Sequence, residues 1–101
     1  MNVSNYSQNG RRRVVITGIG AVSPLGNDVE SSWENLTAGR SGAATIEQWD
    51  ASAYPVTFAC ELKDFDPKNW IDHKQARRMD RFAQMIVAAA RQAEEDSGFQ
   101  V

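Results

Sequence analysis

A chain of 101 residues with 42% hydrophobic and 24% charged side chains has the make-up of one ordinary globular domain and no more than one. Its formal charge of −2 argues against a surface built wholly for nucleic acid, so any anion-binding role has to come from a local patch. No run nears the roughly 20 apolar residues that span a bilayer, and the single cysteine, Cys60, gives no disulfide framework and fits a reducing cytoplasm.

Residues 1–10 are rich in Asn, Ser and Gln without an apolar stretch, which argues against a secretory signal and predicts a disordered tail. Arg11, Arg12 and Arg13 read as the solvated approach to a strand rather than as an address signal. Arg13 to Thr17 enclose consecutive β-branched residues, Val14, Val15 and Ile16, the pattern of a strand buried on both faces. Gly18 and Gly20 then let the backbone turn without a Cβ penalty.

Asn27 or Asp28 caps the next element, and Glu30 or Glu34 opposes the dipole of its first turns. Val29, Trp33 and Leu36 recur at helical spacing and Gly39 sits where a left-handed cap belongs, which predicts a helix over about 28–38. From Arg40 to Pro55 the periodicity fails, and a long, partly ordered connection is expected around Ile46, Trp49 and Tyr54. Val56 to Leu62 alternates as a short strand does. Asp64-Phe65-Asp66-Pro67 is a turn leading into a helical start, with Pro67 suited to a first-turn position. The last third is helical: Met79, Phe82, Ile86, Ala89 and Ala93 form a stripe, Asp80 is placed to cap it, and Ser97-Gly98 ends it. One buried strand and one short strand are too few for a parallel α/β sheet, so the chain reads as the first quarter of something larger.

Several chemical motifs are weighed along this frame. The dinucleotide fingerprint G-x-G-x-x-G counted from Gly18 needs glycine where Ser23 stands, and the short-chain dehydrogenase variant needs glycine where Val22 and Pro24 stand. No cofactor is therefore expected, and the glycines read as close-packing positions. A reactive thiol needs a helix N-terminus or a nearby histidine, whereas Cys60 lies inside the predicted second strand. The single histidine, His73, has no second imidazole with which to hold a metal. Between His73 and Arg81, four cations fall at Lys74, Arg77, Arg78 and Arg81. On a helix those spacings share one face, a docking surface for an anion, a phosphate or an acidic helix. A merely solvated charged face is the alternative reading, and both remain open at this point.

The order of the motifs is more specific than any one of them. Arg12-Arg13-Val14-Val15-Ile16-Thr17-Gly18-Ile19-Gly20 is followed by Ser23-Pro24-Leu25-Gly26, then by Ser32-Trp33-Glu34-Asn35-Leu36 and Ala38-Gly39-Arg40-Ser41-Gly42. Phe65-Asp66-Pro67, Ala76-Arg77-Arg78-Met79-Asp80-Arg81-Phe82 and Ala88-Ala89-Ala90 complete the series. From about residue 11 to its end the chain resembles the opening of the β-ketoacyl-acyl-carrier-protein synthases, the condensing enzymes of fatty acid and polyketide synthesis. The subtype it most resembles is the type II synthase of dissociated bacterial fatty acid synthesis.

The resemblance implies an α/β fold of the thiolase-like layered αβαβα kind, with residues 11–101 an incomplete N-terminal part of its first half. It implies an acyltransferase that moves an acyl chain to a cysteine, decarboxylates malonyl-carrier and joins the two by Claisen condensation. The family does this with a cysteine, two histidines and a lysine that match nothing here. Cys60, in Phe58-Ala59-Cys60-Glu61, lacks the family's Thr-Ala-Cys context, so this chain alone is expected to be inactive. The implied partner is acyl carrier protein, acyl- or malonyl-loaded, met in part through the basic segment that Lys74, Arg77 and Arg78 match. Arg81 is added on helical geometry alone. A cytoplasmic homodimer is implied for the full-length protein, with no membrane or nucleic-acid partner and no metal. A stand-alone carrier-binding module, or a polyketide ketosynthase or chain-length factor, are the rival readings.

Overall fold

Asp28 starts the first helix by satisfying donors that the helix itself cannot. Its backbone is extended and its carboxylate accepts from the amide of Ser31 at 2.7 Å and from the Ser31 hydroxyl at 2.6 Å. Helix α1 follows over Val29–Thr37, within a residue of the expected bounds at each end, and Gly39 leaves it in the left-handed region at φ 74°. The structure, a computed structural model, describes residues 9–100. Most of the disordered tail expected over residues 1–10 lies outside the described residues.

Just before α1 the chain makes a tight turn. Ser23 and Gly26 exchange backbone hydrogen bonds of 2.8 and 3.1 Å across Pro24-Leu25. Side chains of α1 hold this turn: the Ser32 hydroxyl lies 2.7 Å from that of Ser23, and the Asn35 amide donates to the Leu25 carbonyl at 2.6 Å. Lys63 clasps it from the other side. Its ammonium donates to the carbonyls of Pro24 (3.1 Å), Gly42 (2.9 Å) and Glu61 (3.2 Å), using all three of its protons to join three loops.

The strand expected over residues 13–17 is not buried on both faces. Val14 is 86% exposed and Ile16 85%, and neither belongs to a strand. The physical reason is the lack of a neighbour. A strand buried on both faces needs hydrogen-bonded strands at its edges and layers above and below, and the described residues supply neither.

The sheet that does form is small. Strand β1, Ala44–Thr45, pairs antiparallel with β2, Phe58–Ala59, in the register Ala44 to Ala59 and Thr45 to Phe58. The strand expected over Val56 to Leu62 is thus cut to two residues. Beyond the ladder the Glu47 amide turns instead to the Glu61 carboxylate at 2.9 Å. In the connection between β1 and β2, Trp49 and Tyr54 meet edge to face with centroids 5.3 Å apart, and Ala51 is buried.

Asp64, at φ 58°, turns the chain into a short 3-10 stretch over Pro67–Asn69, capped by Asp66 onto the Lys68 amide at 3.0 Å. Helix α2, His73–Ala76, and helix α3, Arg81–Ser97, complete the described residues, with Gly98 ending α3 at φ 70°. Phe65, Ile71 and Ala76 are buried beneath this corner.

The main long-range packing lays residues 18–27 along α3. A Cβ on Gly18 would strike the Ala93 carbonyl and stand 2.6 Å from the Ser97 amide nitrogen. One on Gly20 would strike the Ala89 carbonyl and stand 2.8 Å from the Ala93 nitrogen. These glycines therefore serve the close approach of the turn to α3. Gln92, 8% exposed, fastens the contact: its carbonyl accepts from the Ala21 amide at 3.1 Å and its NH₂ donates to the Asn27 carbonyl at 2.7 Å. The Ile19 amide donates to Asp96 at 3.0 Å.

The radius of gyration is 18.5 Å, against about 13 Å for a compact domain of some 100 residues. Among the described residues no helix is long and apolar enough to cross a membrane.

Two outcomes follow from this architecture. With Val14 and Ile16 left in solvent, the isolated chain is expected to unfold over a broad thermal range and to bind a hydrophobic dye before heating; a sharp cooperative melt would contradict this. The second concerns Asp28, whose carboxyl is held below its ordinary pKa first by the Ser31 hydroxyl and then by the Ser31 amide. A lowered folded-state pKa means that the cap stabilises α1 above the ordinary carboxylate value and is lost as pH falls through the lowered one. An NMR titration should place Asp28 below the usual range, and Ser31→Ala should move it part of the way back.

Candidate functional site

The cations singled out by the sequence lie on a corner rather than on one helix. Asp72 opens α2 by accepting from the Lys74 amide at 3.2 Å. The helix then tightens: Arg78 bonds to the Gln75 carbonyl at 3.0 Å and Met79 to that of Ala76 at 3.1 Å, three residues back instead of four. Asp80 has extended backbone at φ −69°, ψ 157°, and α3 begins at Arg81. Asp80 occupies the cap position that the sequence predicts, but its side chain makes no capping hydrogen bond.

This break corrects the expectation that Lys74, Arg77, Arg78 and Arg81 share one helical face. The i, i+3, i+4 rule holds only while the backbone stays helical, and it does not between Arg77 and Asp80. Lys74, Arg77 and Arg78 remain together and line one shallow concavity. All three are exposed, and none makes a side-chain hydrogen bond among the described residues. Arg81 leaves the group and lies over the ring of Phe65, with its guanidinium carbon 4.9 Å from the ring centroid.

Such an arrangement suits anions. Two forked guanidiniums and a mobile ammonium at one concave surface can take carboxylates or phosphates from several directions. Their exposure keeps the interaction open to solvent and to salt.

The other candidates stay apart from this surface. Cys60 is exposed just beyond β2, and His73 is an exposed residue at the first position of α2. Among the described residues no cluster of His, Cys, Asp and Glu is arranged to hold a metal.

Sequence reasoning missed Gln84. Its side-chain NH₂ donates to the Ala76 carbonyl at 2.9 Å and reaches that of Met79 at 3.4 Å, bridging the end of α2 to α3. The sequence signal was slight: one amide beside an apolar stripe.

Comparison with known proteins places this geometry. Residues 11–101 match the family profile described as "Beta-ketoacyl synthase, N-terminal domain". Over 91 residues the chain is 50% identical to a Coxiella burnetii protein named 3-oxoacyl-acyl-carrier-protein synthase 2. Over the same length it is 52% identical to a Staphylococcus aureus protein of that name. Each alignment covers 90% of this chain and 22% of the relative. Among solved structures, that of the ishigamide ketosynthase/chain length factor matches with a TM-score of 0.81 at 46% identity, covering 89% of this chain and 22% of the other. The chain thus spans about a fifth of the length of the relatives it matches.

Proposed function

This chain belongs to the β-ketoacyl synthase family, and on that premise we propose that it is the N-terminal portion of a 3-oxoacyl-acyl-carrier-protein synthase of fatty acid elongation. In that reading the complete protein is a cytoplasmic homodimer of layered αβαβα fold. It accepts an acyl chain from carrier protein onto a cysteine and frees the carrier thiol. Malonyl-carrier then loses carbon dioxide, and the resulting carbanion attacks the acyl thioester and expels the cysteine thiolate. The cysteine, histidines and lysine for these steps belong to parts of the protein that this chain does not match. Residues 11–101 contribute scaffold and a docking surface for acyl carrier protein.

The convergence of Lys74, Arg77 and Arg78 on one concavity, in a chain of net charge −2, carries the docking assignment. An acidic helical partner approaching a protein of net charge −2 is drawn toward this local concentration of positive charge. Charge complementarity of this kind speeds encounter and fixes orientation more than it adds affinity. Arg81 joins the group in this proposal as the next cation along the chain, its guanidinium held by the Phe65 ring so that little side-chain freedom is lost on contact.

A second reading rests on the structural match to a ketosynthase/chain length factor. It makes the complete protein a polyketide ketosynthase or its cysteine-less partner. A Thr-Ala-Cys motif elsewhere in the polypeptide excludes the cysteine-less form, and its absence excludes the condensing enzyme.

In the complete enzyme, Arg77→Glu together with Arg78→Glu is expected to raise KM for carrier-bound substrate at least tenfold, the scale of losing two charge-assisted contacts. Activity on small thioester mimics should fall far less. Equal loss on both substrates would assign the two arginines to folding and remove the docking assignment.

A further inference from the structure

We propose that the carbonyls of Pro24, Gly42 and Glu61 form a binding site for one monovalent cation of ammonium size, which the Lys63 side chain of this chain fills. The inference is independent of the docking reading above. Its ligands are backbone oxygens, so no side-chain motif in the sequence announces them.

The three oxygens belong to separate loops and stand 3.1, 2.9 and 3.2 Å from one nitrogen. None of them takes a second donor among the described residues. Backbone carbonyls converging in this way are what replaces the hydration shell of K⁺ in a selective site. The spacing is too wide for hard dications: calcium draws its oxygens to about 2.3–2.6 Å and magnesium to about 2.0–2.1 Å. Water is the rival occupant, but one water has two protons and no charge to set against three carbonyl dipoles. An ammonium has a donor for each of them.

The cage has supports other than the lysine it holds. Gly42 packs so closely on Pro24 that a Cβ on it would stand 2.7 Å from the Pro24 Cβ, which sets two of the ligand residues side by side. The Pro24 turn is closed by the Ser23–Gly26 exchange and held to α1 by Ser32 and Asn35. The segment carrying Glu61 is tied to the same turn, because the Asn27 side-chain NH₂ donates to the Lys63 carbonyl at 2.9 Å. None of these contacts uses the Lys63 ammonium. Lys63 is exposed and borders two hollows, one lined in part by Glu47, Glu61 and Asp64 and the other by the 23–27 turn. A cation from solvent therefore has a path to the carbonyls once the lysine is cut back, and the three acidic residues favour its approach.

The test uses the complete enzyme with Lys63→Ala, which opens the cage, and with Lys63→Met, which keeps an apolar stem in it. Thermal midpoints are compared in ammonium, potassium and choline chloride at equal ionic strength. In choline chloride, whose cation is too large for the cage, Lys63→Ala is expected to melt about 5 °C below the parent. Ammonium or potassium should recover at least half of that loss, counted beyond any shift that the parent and Lys63→Met also show. Should Lys63→Ala be too unstable to purify in choline, its refolding yield in ammonium against choline makes the same comparison. Crystals of Lys63→Ala soaked in rubidium chloride should show an anomalous peak in contact with the Pro24, Gly42 and Glu61 carbonyls. Equal midpoints or yields in all three salts would overturn the proposal and leave water as the occupant. A recovery that Lys63→Met shares in full would overturn it as well, as a bulk salt effect, and so would a rubidium soak without a peak at the three carbonyls.

Discussion

The contact on which the described residues depend is the seating of the 18–27 segment on α3. Two glycines let the backbone come close enough, and Gln92 then converts proximity into bonds. Its carbonyl and NH₂ each find a backbone partner, at Ala21 and Asn27, within a nearly buried site. A buried amide with both ends used contributes about 1 kcal/mol per hydrogen bond, whereas one left unpaired costs as much or more. That asymmetry makes the arrangement specific: a shifted register would strand the glutamine.

Helix α3 repeats this device along its length. Gln84, Gln92 and Asp96 are separated by eight and four residues, spacings that keep them toward one side of a helix. Each reaches off the helix to backbone groups elsewhere: the end of α2, the Ala21 and Asn27 pair, and the Ile19 amide. The helix thus acts as a rail to which the preceding elements are tied by polar hooks. Apolar burial adds little beside it, since Ala88 is the one apolar residue of α3 in the buried set while Phe82 and Ile86 remain 65% exposed. The cationic corner adjoins the N-terminal end of this rail, and the C-terminal part of the same helix holds the glycine-rich turn.

The sequence was most legible where structure is local. Asp28, the spacing of Val29, Trp33 and Leu36, and Gly39 defined α1 because caps and periodicity act within a few residues. The Phe82 to Ala93 stripe and Gly98 defined α3 for the same reason. Yet the stripe on α1 did not reveal what covers it: Trp33 is 64% and Leu36 57% exposed. An apolar period states which side of a helix seeks cover and is silent on whether the cover is present. The same holds for Val14 to Ile16, whose composition suits a central strand but whose pairing has to come from residues distant in sequence.

By itself the sequence determined the family, through motifs whose order and gaps rarely recur by chance, and the helical segments, through caps and glycines that act on their own neighbours. It also supplied the cations of the candidate site. Tertiary structure alone decided that Arg81 stands apart from Lys74, Arg77 and Arg78, because the backbone leaves the helix between α2 and α3 and the Arg81 guanidinium lies over the Phe65 ring. It alone decided what Gly18, Gly20 and Gln92 are for, since their partners lie some 65 to 79 residues away by position and no local spacing encodes such a pairing. Short-range propensities act through neighbours along the chain, whereas close approach and side-chain bridging arise only once distant segments are brought side by side.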